Sequence, residues 1–269
     1  MVVVDGLQRL STFKRFVDNK LTLRLPDQLE IKGKTFNGLS AKLQNRIEDC
    51  NLVLYIIDSK VPERARLDIF ERVNGGVPLT RQQMRNCLFS GPATRFLRAE
   101  AENDVFGLAT GKSLSKQTMR DREFVNRYCA FTLLGVEDYR GDMDEFLAES
   151  LQKMNSMDQL ELETLAHGFR QSMRNNFKVF DKFAFRKHRR LSTNRSVINA
   201  SLWDVMSTAL TAFDEDISLD TCEIIRERFY ELMVDERFIN AITYGTNDSR
   251  QVQTRFSTVR EMFRGITDA

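Results

Sequence analysis

Val2-Val3-Val4-Asp5-Gly6-Leu7-Gln8-Arg9-Leu10-Ser11-Thr12-Phe13 is the stretch on which the reading of the fold turns. Three β-branched residues in a row suit a short strand, and Leu7, Leu10, Phe13, Phe16 and Val17 then recur at helical spacing. The pattern predicts a strand that passes through Asp5-Gly6 directly into a helix. Such a junction offers unpaired backbone N–H groups and the positive end of the helix dipole, both of which attract phosphate. Arg9, one turn in, adds a guanidinium able to hold phosphate with two parallel hydrogen bonds. Gln8 can donate or accept, and Asp5 suits a metal ion, a positioned water or the helix N-cap. The plainer reading of the same residues is a turn with Asp5 as cap and Arg9 as a surface charge.

Outward from this stretch, Leu21-Thr22-Leu23-Arg24-Leu25 alternates apolar and polar before Pro26, as a half-buried strand does. Leu52 to Ile57 is an apolar run ending at Asp58 and predicts a buried strand, while Leu39, Leu43, Arg46 and Ile47 suggest a short helix begun near Ser40. After Pro62 the strand signals stop. Ala65 to Val73 reads as a helix broken at Asn74-Gly75-Gly76. Thr80 to Phe89 follows, with Thr80 as N-cap and Gln83 at the capping-box position. Further amphipathic segments are expected at about 92–101, 120–134, 142–154, 158–185, 196–213, 219–234 and 250–264. The fold class expected is therefore α+β and predominantly helical. Residues 1–60 would form a small α/β segment packed on a multi-helix segment, 61–269.

Composition agrees with the helical part of this picture. Only 13 glycines and 4 prolines occur in 269 residues, with 29% charged and 42% hydrophobic residues. No apolar run approaches the roughly 18 residues that cross a bilayer, so no membrane partner is expected and a cytoplasmic location is. Cys50, Cys87, Cys129 and Cys222 form no CxxC pair and read as buried cytosolic thiols. With only His167 and His188 besides, the composition argues against a Cys/His zinc centre, a His-dependent nuclease and a Ser-His-Asp hydrolase, and no metal ligand set is expected.

The net charge of +2 is unevenly spread. Arg170, Arg174, Lys178, Lys182, Arg186, Lys187, Arg189, Arg190 and Arg195 face Asp181 alone, a local balance of +8 that leaves −6 elsewhere. Phe169, Met173, Phe177, Phe180 and Ala184 repeat by three or four, so the window predicts a helix. Cations every four residues would drift about 40° per step around it. A cationic spiral suits a nucleic-acid backbone, where each neutralised phosphate adds salt-dependent affinity. Arg170 to Arg190 are accordingly the candidate DNA-binding residues, with a solvated face as the alternative.

Val-Val-Asp-Gly-Leu-Gln-Arg-Leu-Ser-Thr-Phe also resembles the Asp-Gly-Gln-Gln-Arg signature of the N-terminal domain of GmrSD-type modification-dependent restriction endonucleases. Ile69-Phe70-Glu71-Arg72-Val73-Asn74-Gly75-Gly76-Val77-Pro78-Leu79-Thr80, followed by Gln83-Met84-Arg85-Asn86, is similar to that family's Phe-Glu-Arg-Ile-Asn, Gly-Val-Pro-Leu and Glu-Leu-Arg-Asn run. Arg120-Asp121-Arg122-Glu123-Phe124-Val125-Asn126-Arg127 carries a weaker likeness. The resemblance covers roughly residues 1–135. It implies a ParB-like fold around the first motif, a nucleoside triphosphate with or without Mg²⁺ as cofactor, and a part in controlling DNA cleavage in bacterial or phage conflict.

Carried over by position, Asp5, Gly6, Gln8 and Arg9 match the motif, which makes Asp5, Gln8 and Arg9 the candidate catalytic residues and Gly6 and Arg9 candidate phosphate ligands. Arg72, Asn74 and Arg85, polar and close to the Gly75-Gly76 break, are candidates to complete that pocket, with an Arg85 ion pair and an Asn74 helix cap as the alternative. Leu7 stands where the family has glutamine. The chain begins four residues before the motif, so the expectation is a fragment, a split-gene product whose partner chain supplies the family's upstream strands, or a degenerate member. His167 and His188 do not form an HNH nuclease motif. The function expected is a nucleotide-responsive, DNA-associated regulatory or NTPase domain acting on DNA, modified DNA included. The alternative is a non-catalytic DNA-binding or protein-interaction module.

Overall fold

The structure is a computed structural model that describes residues 5–25, 30–57, 79–214 and 217–266, together with the separate positions 61, 65, 68, 69, 72 and 73. The chain divides into two units, Met1–Leu79 and Thr80–Ala269, whereas the texture of the sequence changes near residue 60.

The first unit carries α1 (Leu7–Val17), a 3₁₀ turn at Phe36–Gly38 and α2 (Ala41–Glu48). Among the described residues its buried core consists of Phe16, Phe36 and Leu39, with Val17, Leu21, Leu23, Ile31, Leu43 and Ile47 packed around them. Phe16 and Phe36 meet edge to face at 6.0 Å. Asn19, left-handed at φ +59°, follows α1, and its side-chain oxygen accepts the Asn37 N–H at 2.8 Å. The Gln44 amide of α2 donates to the carbonyls of Phe36, Asn37 and Leu39, which holds the 3₁₀ turn against the helix.

The α+β expectation is corrected here. Among the described residues there is no strand and no sheet, and the β-type contact is an isolated bridge between Arg186 and Ile198. Leu21 to Leu25 is irregular: Leu23 donates to the Lys34 carbonyl at 3.0 Å and accepts the Gly33 N–H at 2.8 Å. Alternation makes a strand only where a neighbouring chain takes up the remaining backbone groups, and a two-stranded pairing is marginal by itself. The run from Leu52 to Ile57, expected to be a buried strand, is irregular as well. Val53 is 77% and Tyr55 92% exposed, so it is apolar surface. Val2 to Val4 lie outside the described residues, as do Asn74, Gly75, Gly76 and half of the helix expected over Ala65 to Val73. What is described of the first unit is helical, not a ParB-like α/β segment.

The second unit is a helical assembly: α3 (Arg81–Leu88), α4 (Pro92–Ala101), α5 (Asp104–Thr110), α6 (Arg120–Leu133), α7 (Met143–Ser156), α8 (Gln159–Phe180), α9 (Ala200–Ala209), α10 (Leu219–Leu232), α11 (Glu236–Ala241) and α12 (Ser249–Phe263). The capping box of α3 is formed, with Thr80 Oγ1 accepting from the Gln83 N–H and Gln83 Oε1 from the Thr80 N–H. α5 and α11 are additions to the expected segments, each too short to show a helical period.

α6 packs on α4, α7 and α9, while α8 packs on α4, α5, α9 and α10. Trp203 of α9 is fully buried at their meeting point, 5.2 Å from Phe124, 5.9 Å from Phe106 and 4.4 Å from Phe185 between ring centres. Its indole N–H donates to the Phe124 carbonyl at 2.8 Å. Asp204, beside it, is fully buried between two arginines. Arg127 of α6 reaches it through Nε at 2.7 Å and Nη2 at 2.6 Å, and Arg255 of α12 through Nη2 at 2.9 Å. This triad ties three helices at fixed register.

Candidate phosphate sites

Gly6 precedes α1 at φ +82°, the left-handed conformation that suits glycine. No side chain caps the helix. Asp5 instead accepts from Arg9 Nη2 at 2.6 Å in an exposed i,i+4 pair, so its capping role is replaced by an ion pair. Among the described residues the N–H groups of Leu7, Gln8 and Arg9 meet no acceptor, and Leu10 donates to the Gly6 carbonyl at 2.8 Å. A Cβ placed on Gly6 would stand 3.6 Å from Arg9 Nη2, so the guanidinium folds back over the glycine beside these donors. Gly6 and Arg9 therefore lie side by side at the start of α1. Leu7 and Gln8 are exposed on the first turn.

Of the other expected phosphate ligands, Arg72 is exposed and Asn74 lies outside the described residues. Arg85 is only 2% exposed and belongs to the second unit. Its Nε donates to Gln82 Oε1 at 3.1 Å and its Nη1 to Asp144 Oδ1 at 2.5 Å. Burial pushes its pKa down, and Asp144 offsets part of that.

Arg85 lines a half-open cavity of about 670 Å³, with Arg81, Arg120 and Arg127 among its other walls. Three helix N-termini border it: α3 at Arg81, α6 at Arg120 and α7 at Asp142 to Asp144. The loop before α6 is fixed to α3, because Thr80 Oγ1 donates to the Thr118 carbonyl and Gln83 Nε2 to that of Gln117. The lining carboxylates are largely engaged. Asp142 accepts the Asp144 and Glu145 N–H groups as the α7 cap, and Asp144 pairs with Arg85 and, at 3.8 Å, with Arg81. Burial lowers the Arg127 pKa, but the Asp204 carboxylate outweighs this and leaves it raised.

The basic window is built differently from the spiral its spacing predicts. α8 stops at Phe180, where Asp181 turns to φ +47°, and Lys182 to Arg190 follow outside it. The anchors are apolar: Phe180, Ala184 and Phe185 are buried, which the helical count to Ala184 did not separate from a continuing helix. Arg170 makes a two-pronged pair with the buried Glu100 at 2.6 and 2.8 Å. Arg186 is buried, giving its guanidinium to the carbonyls of Ala184, Ser196 and Thr110 and to Ser113 Oγ, and burial pushes its pKa down to about 10. Lys187 reaches Thr243, Arg190 pairs with Glu227 over the Tyr230 ring, and Lys182 lies over Phe183. Arg174 is half-buried, and Lys178 and Arg189 are exposed. Much of the +8 is thus already partnered within the unit.

His188 is buried between Phe183 and Phe229 rings, its Nδ1–H donating to the Arg186 carbonyl at 2.9 Å, and burial holds its pKa down. Cys129 and Cys222 are buried thiols as expected and Cys87 is half-buried, but Cys50, just past α2, is exposed. Among the described residues no three His, Cys, Asp or Glu side chains are grouped to hold a metal, and no helix is long and apolar enough to cross a membrane.

No protein-family model matches the chain, and no curated protein or solved structure is significantly similar to it.

Sequence reasoning reached Arg85 but not Arg81, Arg120 and Arg127 as its companions. A signal was present. Arg81 and Arg120 each open a helix, the end at which the dipole disfavours a cation.

Proposed function

We propose that the protein is a nucleotide-responsive, DNA-associated regulatory module, with the first turn of α1 receiving a phosphate of a nucleoside triphosphate. The observation that supports this is the convergence of a left-handed Gly6, three N–H donors without acceptors among the described residues, and the Arg9 guanidinium folded over them. Asp5 holds Arg9 in place and competes with phosphate for it. Mg²⁺ would arrive with the nucleotide as counter-ion to its phosphates, since Asp5 is committed to Arg9. The Asp-Gly-Leu-Gln-Arg resemblance supports a part for such a module in the control of DNA cleavage, and the exposed surface that carries Arg189 is where a DNA backbone would be met.

Titration of the full chain with ATP and GTP tests the reading. Arg9→Ala is expected to weaken binding about tenfold, the scale of one charge-assisted hydrogen bond. Asp5→Asn is expected to tighten it by releasing Arg9. Unchanged affinity in both variants would remove α1 from the nucleotide site, and tighter binding together with loss of hydrolysis in Asp5→Asn would give Asp5 a catalytic role.

A second reading, a protein-interaction module, is favoured by the exposed apolar run from Leu52 to Ile56. A partner chain is what such a surface would accept.

A further inference from the structure

We infer that the cavity of the Thr80–Ala269 unit is a second phosphate site, in which Arg81, Arg85, Arg120 and Arg127 hold a phosphate group. This goes beyond the α1 reading and does not rest on it. The cavity, at about 670 Å³, is of the size that small ligands occupy. It is ringed by the first turns of α3, α6 and α7, whose dipoles all direct positive potential into it.

Two of its arginines are buried guanidiniums with donors to spare. Arg85 commits Nε and Nη1 to Gln82 and Asp144, and Arg127 commits Nε and Nη2 to Asp204. Among the described residues Arg85 Nη2 and Arg127 Nη1 then have no acceptor. Both side chains line the cavity, where a ligand oxygen can accept from these donors. The other two arginines sit at the N-terminal residues of α3 and α6. No carboxylate pairs with Arg120 among the described residues, and its guanidinium lies 5.3 Å from the Phe124 ring centre. An anion is what makes cations favourable at helix N-termini.

The carboxylates in the wall do not argue for a metal instead. Asp142 is taken by backbone N–H groups and Asp144 by two arginines, which leaves Glu123 as the carboxylate facing Arg85 and Arg127. Phosphate, with several acceptor oxygens and a geometry suited to guanidinium forks, matches four arginines better than a carboxylate ligand does.

The site is tested on the full chain carrying Arg9→Ala, which removes the α1 guanidinium, by calorimetric titration with inorganic phosphate at constant ionic strength. Binding is expected to persist, and to weaken at least tenfold when Arg81→Ala and Arg120→Ala are added. Both of those side chains are exposed and their loss leaves the fold intact, as circular dichroism would verify. No binding to the Arg9→Ala chain, or equal binding to the triple variant, overturns the proposal. Competition by ATP and by a ten-residue thymidine oligonucleotide then separates the two sources of phosphate. The stronger competitor identifies a free nucleotide or a DNA backbone as the natural ligand, and failure of both to compete overturns the site as a nucleotide or nucleic-acid receptor.

Discussion

Phe16 and Phe169 sit at the centres of the two units, and their surroundings differ sharply. Phe16 meets one aromatic ring, Phe36, in a core completed by Leu39. Phe169 is fully buried among Phe106 at 6.0 Å, Tyr128 at 5.0 Å and Trp203 at 6.4 Å, within a core that runs through every helix from α4 to α12. The first unit also keeps Val53, Leu54, Tyr55 and Ile56 in solvent, whereas the second buries arginines along with its hydrophobics. A core of many mutually packed helices accommodates buried charge; the core described in the first unit, Phe16, Phe36 and Leu39, leaves the run from Val53 to Ile56 uncovered.

The sharpest test of that contrast is Asp204, whose carboxylate serves Arg127 and Arg255 together. Asp204→Asn leaves two buried guanidiniums facing an amide, and removal of one partner from such a pair costs about 3–5 kcal/mol. Urea unfolding should show that loss. A change below about 1 kcal/mol would mean that the triad is dispensable and that packing alone holds α6, α9 and α12. Next in size is the paired comparison at the two core centres. Phe169→Ala should cost about 3–5 kcal/mol, and Phe16→Ala about 2 kcal/mol because its site can collapse around the gap. Equal losses would break the contrast.

The same contrast decides what could be read beforehand. The longer helices of the second unit were legible because each buries a stripe against its own neighbours, so period and cap residues such as Thr80 and Gln83 suffice, whereas α5 and α11 are too short to show a period. Leu21 to Leu25 and Leu52 to Ile57 carry strand patterns just as clear. Pattern records a side chain's preference for a half-buried surface, not whether a partner strand exists. In the basic window, spacing of four residues matched a helix up to Phe180, but no spacing reveals that Arg186 is buried among carbonyls or that Arg170 pairs with Glu100. Of the candidate sites, the Gly6 and Arg9 geometry was legible because it is local. The arginine cavity joins residues from α3, α6 and α7, and only the misplaced cations at helix starts hinted at it.

A smaller effect follows from His188. Its pKa is held below the ordinary value of 6.5 by burial against Phe183 and Phe229. Where the unfolded chain binds a proton that the folded chain does not, stability rises with pH. The second unit should therefore lose stability as pH falls through the ordinary histidine value of 6.5. His188→Phe should flatten that slope. A slope that is unchanged by the substitution would assign the pH dependence to other groups.

The smallest expected change in stability lies on the exposed run of the first unit. Val53 and Tyr55 already face solvent, so replacing both with serine removes little that folding buries, and stability should move by less than about 0.5 kcal/mol. What should change is association. Consecutive exposed apolar residues promote self-contact or partner contact, and their removal should lower the sedimentation-derived mass of any oligomer and reduce binding of an apolar dye. A loss of stability well beyond 0.5 kcal/mol would mean that these side chains are buried in solution. The first unit would then cover its apolar surface as the second does, and the contrast between the two would narrow to core size alone.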